Sequence, residues 1–157
     1  SRGSSPAPAL IVSPPRGSSC ARAATAPAAT RSAAVFAWGG VDPHDGQIID
    51  KRHPLVGEVL AGRVLVLPSG RGSCSASGVL LESISNGTAP SGIIVSEIDP
   101  IIGLGAILGD ELLGRVVPVV LVTPEERATI ATGTMVSILY GGEIEIDEGS
   151  DVQTPEP

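Results

Sequence analysis

The segment 68–78, PSGRGSCSASG, concentrates the residue types in this chain that could do chemistry. Gly70 and Gly72 permit a close approach of the backbone to a ligand. Arg71 offers a planar cation that suits a carboxylate or a phosphate. Several serines, Ser73 among them, supply hydroxyl groups that both donate and accept hydrogen bonds. The combination predicts a binding site for a small anion.

Other chemistries that use such a loop fit the segment less well. It lacks the Gly-Lys-Ser/Thr ending of a nucleotide P-loop and the Gly-x-Ser-x-Gly pattern of a hydrolase elbow. The two histidines, His44 and His53, are both distant in sequence from the loop serines. A structural interpretation stays open, in which Ser75 or Ser77 caps a helix and Arg71 is merely solvated.

A predicted strand and a predicted helix position this loop. Residues 63–67 (RVLVL) form a short apolar run between Gly62 and Pro68, which predicts a buried strand. Residues 75–85 carry apolar side chains at helical spacing. A loop at the carboxyl end of a strand faces the crevice where α/β proteins bind ligands, and the next helix directs free N–H groups there.

Further strands and helices follow, which predicts an α/β domain. The expected elements are strands at 92–95 and 116–122, helices at 100–113 and from Pro124 to Gly133, and a hairpin of 135–140 and 143–146. Pro118 favours either an edge strand or a strand that begins there. The glycines of 100–113 predict that this helix closely approaches the sheet.

Composition and charge exclude several classes of partner. The 157 residues suffice for one domain, and the core must be aliphatic because aromatic residues make up only 2%. The net charge is −7, although residues 1–41 contain arginines and no acid. Since the rest of the chain is acidic, we expect no nucleic-acid partner. No apolar run approaches about 20 residues, so we expect no membrane partner.

The ends of the chain differ in composition from its middle. Residues 1–34 are rich in Ser, Ala and Pro and predict a flexible arm, with a displaced strand at 9–12 as an option. Order is expected to begin near Val35, and 148–157 form an acidic tail. Low cysteine usage favours a cytoplasmic location, or a mitochondrial one if 1–34 is a transit segment.

Two sequence blocks carry a resemblance to a known family. Residues 38–43 (WGGVDP) and 70–78 (GRGSCSASG) resemble the small subunit, or swivel domain, of aconitase X. The resemblance covers residues 35–140 through further matches, which include Gly46, Asp50, His53, Gly57, Asn86, Gly87, Ser96, Glu97 and Pro118. It implies that residues 35–147 form a swivelling β/β/α domain like the mobile fourth domain of aconitase.

The resemblance also implies an activity. Members of the family dehydrate a small hydroxy acid. The loop sequence is more similar to that of cis-3-hydroxy-L-proline dehydratases than to that of 5-phosphomevalonate dehydratases. A large catalytic domain or subunit is expected to hold iron or an iron–sulfur cluster. Two cysteines cannot complete such a cluster, so this chain is expected to hold no cofactor alone.

The implied site combines the loop with residues of the first block. Ser73 is expected to be the catalytic general base. Substrate contacts are expected from Arg71, Gly70, Gly72, Cys74 and Ser75, and the cleft is expected to be lined by Gly39, Gly40, Asp42 and His53. For His53, the alternative is a turn-stabilising pair with Asp50.

Three other functions stay open. The first is the small subunit of a phosphomevalonate dehydratase. The second is a non-catalytic interaction module, because the family's Leu-Ser-Phe is replaced by Val35-Phe36-Ala37. The third is a phosphohistidine carrier, which the absence of histidine from 68–78 disfavours.

Overall fold

Short apolar strands and longer helices alternate along the chain. The computed structural model describes residues 9–12, 22–30, 40–53, 55–68, 75–139 and 142–147. Its strands are β1 (Ala9–Val12), β2 (Arg22–Thr30), β3 (Val64–Leu67), β4 (Gly92–Val95), β5 (Val119–Leu121), β6 (Met135–Leu139) and β7 (Ile144–Asp147). Its helices are α1 (Ala76–Asn86), α2 (Pro100–Leu113) and α3 (Pro124–Ala128). No helix in these ranges has the length and apolar character needed to cross a bilayer.

The strands in these ranges form one seven-stranded mixed sheet in the order β1-β5-β4-β3-β2-β6-β7. Strands β2, β3, β4 and β5 are parallel, and β1, β6 and β7 are antiparallel to their neighbours. The parallel strands therefore all end at one side of the sheet. We call this side, at Thr30, Leu67, Val95 and Leu121, the carboxyl edge.

Each face of the sheet buries its own apolar cluster. Every residue of β3 and β4 is buried, which accounts for their uninterrupted apolar sequences. On one face α1, α2 and the segment 41–60 cover the sheet through Leu80, Ile84, Ile102, Ala106, Val41, Ile48 and Leu60. The other face buries Val64, Val66, Ile94, Val120, Val136 and Ile138. The α/β fold predicted from the sequence is confirmed.

Glycines bring α1 and α2 together. A Cβ on Gly105 would lie 3.0 Å from the backbone oxygen of Ser77, and one on Gly109 would lie 2.7 Å from Cδ1 of Ile84. The sequence predicted that these glycines allow α2 to approach the sheet. The close contact is with α1 instead, because both glycines lie on the face of α2 that is turned to that helix.

The element bounds agree closely with prediction in the middle of the chain. The strand at 92–95 and the helix at 100–113 are confirmed. Strand β5 is shorter than the predicted 116–122, and it begins directly after Pro118 rather than forming an edge, since it lies between β1 and β4. Helix α3 ends at Ala128 rather than near Gly133, and the Thr129 hydroxyl donates to the carbonyl of Glu126 at 2.6 Å.

The sequence predicted that order begins near Val35, but two strands precede that residue, and the one at 9–12 is the strand predicted as an option. Strand β1 occupies residues 9–12, and the nine-residue β2 lies inside the sheet between β3 and β6. Strand β2 could not be predicted from its sequence, RAATAPAAT, because alanine has low strand propensity. Ala24, Ala26 and Ala28 nevertheless alternate into the core. The predicted acidic tail at 148–157 and residues 35–39 lie outside the described residues.

Candidate functional site

The loop singled out in the sequence begins at the carboxyl end of β3. The carbonyl oxygen of Pro68 accepts hydrogen bonds from the amide of Ser96 at 3.2 Å and from its hydroxyl at 3.0 Å. The end of β3 is thus tied to the residue that follows β4. The loop residues predicted to do chemistry lie outside the described residues, namely Gly70, Arg71, Gly72, Ser73 and Cys74. Their structural framework, Pro68 on one side and Ser75 on the other, is described.

The loop leads into the N-terminus of α1. Ser75 occupies the N-cap position, but its side chain makes no capping hydrogen bond. The structural interpretation therefore gives the correct position of Ser75 but not the hydrogen bond of a cap. The first turn of α1 contains no acidic residue. Its N–H groups and the positive end of the helix dipole therefore favour an anion where the loop ends.

The neighbouring helix α2 also begins at the carboxyl edge, but its N-terminus is already occupied. The Asp99 carboxylate accepts from the amides of Ile101 at 2.9 Å and Ile102 at 3.2 Å. Asp99 is buried. Since its negative charge offsets the dipole of α2, the N-terminus of α1 is the better place for a bound anion.

The topology places the carboxyl ends of β2 and β3 side by side. Thr30 of β2 pairs with Val66 of β3 in a parallel register. The ends of β2 and β3, which precede residues 31–39 and 69–74 in the chain, therefore lie at the same edge. Gly39 itself lies outside the described residues. Gly40, the next residue, is buried and accepts a hydrogen bond from the amide of Ile49 at 3.0 Å.

Asp42 lies at the other end of α1 and is not brought to the loop. Its carboxylate accepts from the amide of His44 at 2.9 Å, which stabilises the turn 42–46. That turn docks on the C-terminus of α1, where Asn86 and Thr88 donate to the carbonyl of Pro43 at 2.9 and 2.7 Å. A helix of 11 residues is about 16 Å long. The contacts of Asp42 are therefore those of a turn residue.

Close packing fixes this turn. Gly46 has φ +73°, and a Cβ there would lie 2.7 Å from the backbone oxygen of Thr88. Glycine is thus required at this position both for its backbone conformation and for the close approach.

His53 is buried within a turn of its own. Its amide donates to the carbonyl of Asp50 at 2.9 Å, and its Nδ1 accepts from the amide of Leu55 at 3.1 Å. The Asp50 carboxylate accepts from the amide of Arg52 at 2.9 Å. These contacts favour the turn-stabilising alternative over a place in the cleft.

Two residues near the carboxyl edge were not singled out from the sequence as site residues. Ser96 holds the root of the loop, as described above. Arg127, on α3 after β5, has a buried Nε with no acceptor among the described residues. The signal that could have found both is the same, because each follows the end of a predicted parallel strand.

Two cavities in the described part of the chain lie beside β7 instead. Their volumes are about 490 and 610 Å³, and both are lined by Met135, Ile146 and Asp147. The carboxylate of Asp147 disfavours a small anion in either cavity.

The described residues do not form a metal site. They contain no group of three or more His, Cys, Asp or Glu side chains that could hold a metal ion. Both cysteines, Cys20 and Cys74, lie outside the described ranges. The described residues therefore do not fit an iron–sulfur cluster.

Comparison with known proteins gives consistent matches. The family model of the aconitase X swivel domain matches residues 16–146. The chain is 40% identical over 119 residues to a cis-3-hydroxy-L-proline dehydratase of Hypocrea jecorina, covering 76% of this chain but only 20% of that enzyme. It is 46% identical over 110 residues to the phosphomevalonate dehydratase small subunit of Methanopyrus kandleri, covering 69% of this chain and 76% of the subunit.

A solved structure supports the same assignment. The crystal structure of Thermococcus kodakaraensis aconitase X in its holo-form matches with a TM-score of 0.68 and 33% identity, over 78% of this chain and 88% of that chain. The family model and the solved structure thus give the same family. The chain belongs to the aconitase X swivel-domain family.

Proposed function

We propose that this chain is the swivel domain of a hydro-lyase that dehydrates cis-3-hydroxy-L-proline. The observation that carries the proposal is the framework of the loop. The sequence GRGSCS joins the carboxyl end of β3 to the N-terminus of α1, which has no acidic residue in its first turn. This framework suits a substrate carboxylate and a reactive hydroxyl held close together.

In the proposed reaction Ser73 is the general base. It removes the proton from the carbon next to the substrate carboxylate, and the electrons of the broken C–H bond form a carbon–carbon double bond. The C–O bond to the hydroxyl group on the neighbouring carbon breaks, and this group leaves as water after it is protonated. A serine hydroxyl is a weak base in water, so the loop N–H groups, the α1 dipole and Arg71 must stabilise its anion.

The loop would also bind the substrate. Arg71 is suited to hold the substrate carboxylate with two parallel hydrogen bonds. The backbone of Gly70 and Gly72 and the side chains of Cys74 and Ser75 would complete that pocket. Gly39 and Gly40 complete the proposed cleft, as the resemblance of residues 38–43 to the family implies.

The proposed enzyme requires a second polypeptide region. The chain spans 20% of the length of the fungal dehydratase it matches, and 76% of an archaeal small subunit. We therefore propose a large catalytic partner, either fused or separate. We propose that this partner holds the iron or iron–sulfur cluster, because the two cysteines of this chain are too few to complete one.

A second candidate is the small subunit of a phosphomevalonate dehydratase. The observation that favours it is the 46% identity to the Methanopyrus kandleri subunit over 69% of this chain. The loop does not exclude it, because the guanidinium of Arg71 binds a phosphate as readily as a carboxylate.

The substrate can be decided with the complete enzyme, which contains this chain and its large catalytic partner. Turnover is measured separately with cis-3-hydroxy-L-proline and with 5-phosphomevalonate. We expect kcat/KM to be at least about 100-fold higher for hydroxyproline, because a site built for one anionic group rejects a substrate that leaves its polar groups unpaired. The opposite order would establish the second candidate. No turnover of either substrate by an intact complex would identify a non-catalytic module.

A further inference from the structure

Helix α2 is apolar on the side that faces solvent. From Pro100 to Gly109 its sequence, PIIGLGAILG, contains no polar side chain. Ile102, Gly105 and Ala106 lie on its buried face. Leu104 and Ile107 lie on the opposite face and are 49% and 45% exposed. A helix that is apolar on all sides is typical of a buried helix, so its exposed face lacks a partner among the described residues.

The exposed apolar residues of α2 up to Ile107 share one face of the helix. Pro100, Leu104 and Ile107 recur at the spacing of one helix face, and all are exposed. Ile98, which precedes the helix, is 71% exposed. We call these four residues, Ile98, Pro100, Leu104 and Ile107, the α2 stripe. Contiguous exposed apolar residues of this kind mark interaction surfaces.

The stripe begins at the carboxyl edge. Ile98 follows β4 by three residues, and Ser96 in the same connection holds the Pro68 carbonyl where the candidate loop begins. A polypeptide that packs against the carboxyl edge at this connection would therefore reach Ile98 and the first turns of α2.

We infer that the α2 stripe is the surface on which this domain docks to its large catalytic partner. The inference rests on the proposed function only in requiring that partner. A related fungal enzyme contains this domain as 20% of its length, so most of that enzyme is available as the docking partner. The charged residues at the two ends of the stripe, Glu97 and Glu111, are acidic and exposed. The partner surface should accordingly be apolar with a rim of lysine or arginine.

The same charges argue against a second copy of this chain as the occupant. In an antiparallel two-fold pairing of α2 with itself, the acidic end of the stripe at Glu97 in one copy would lie toward the acidic end at Glu111 in the other. Like charges placed opposite each other at an interface are unfavourable.

Cysteine labelling of the complete enzyme tests the inference. Leu104→Cys and Ile107→Cys are made singly, with Leu112→Cys as the matched control. Leu112 lies on the same helix and is 67% exposed, but it lies at the far end and outside the stripe. Maleimide labelling of each introduced cysteine is followed by mass spectrometry of its peptide. We expect the stripe positions to react at least about tenfold more slowly than the control, because the core of an interface excludes water.

A second variant tests whether docking is the cause of slow maleimide labelling. Adding Leu104→Glu to Ile107→Cys should raise its labelling rate toward that of the control, since the charge disrupts docking. Labelling of the stripe at the control's rate overturns the inference. So does protection that disappears on dilution together with a halving of the sedimentation mass, which would assign the stripe to a second copy. Protection in an enzyme that turns over neither substrate supports the docking surface and counts against the proposed function alone.

Discussion

Ser96 donates two hydrogen bonds to the carbonyl of Pro68, one from its amide at 3.2 Å and one from its hydroxyl at 3.0 Å. The pair of hydrogen bonds joins the first residue of the candidate loop to the first residue after β4. The loop therefore starts from a point held by two neighbouring strands. A reactive group on such a loop is positioned by the sheet rather than by the loop alone.

Removing the Ser96 hydroxyl should loosen that point. Ser96→Ala loses the 3.0 Å hydrogen bond and should lower the free energy of unfolding by about 1 kcal/mol. In the complete enzyme we expect kcat to fall more than KM changes, because the loop is less well placed for the chemical step. Ser96→Thr keeps the hydroxyl and should restore most of kcat. Equal kcat for Ser96→Ala and wild type would show that this contact does not position the loop.

The turn at 42–46 should tolerate no side chain at its last position. Gly46→Ala combines an unfavourable positive φ, worth about 1 kcal/mol, with a Cβ 2.7 Å from the Thr88 oxygen. Gly62 has a similar φ of +72° and nothing within 4 Å of its Cβ position. Thermal unfolding of both alanine variants should show a clearly larger decrease in Tm for Gly46→Ala. Equal losses would mean that the turn does not pack on Thr88 as described.

The cap of α2 provides a third test. Asp99→Ala removes the acceptor for the amides of Ile101 and Ile102 and should lower the free energy of unfolding by about 1 kcal/mol. Asp99→Asn keeps an acceptor oxygen and should lower the free energy of unfolding much less. Urea unfolding of the two variants measures the difference. If both variants are as stable as wild type, the carboxylate does not cap the helix.

The sequence predicted the middle of the fold well for a physical reason. Strands such as GIIV are buried on both faces, so they are uninterrupted apolar runs between clear turn residues. Strand β2 could not be found in the same way, because its core side chains are alanines and Pro27 interrupts the run. Its place in the sheet depends on pairing with β3 and β6, which are distant in sequence.

In the candidate site, too, some features could be predicted from local sequence and others depend on contacts between distant residues. The position of the loop between β3 and α1 followed from local sequence pattern. The place of Asp42 did not, because it depends on the docking of a turn against Asn86 and Thr88 at the far end of α1. The role of Ser96 likewise arises from the parallel pairing of β3 with β4, which no local pattern contains.

The central claim is that Ser73 removes the carbon-bound proton of the substrate. It is tested most directly by the rate at which the complete enzyme releases deuterium from cis-3-hydroxy-L-proline labelled at the carbon next to the carboxylate. The variant is Ser73→Ala, and Ser85→Ala, an exposed position at the other end of α1, is the control. We predict that Ser73→Ala releases deuterium at least about 100-fold more slowly than wild type while the control is unchanged. Release by Ser73→Ala at the wild-type rate would contradict the account.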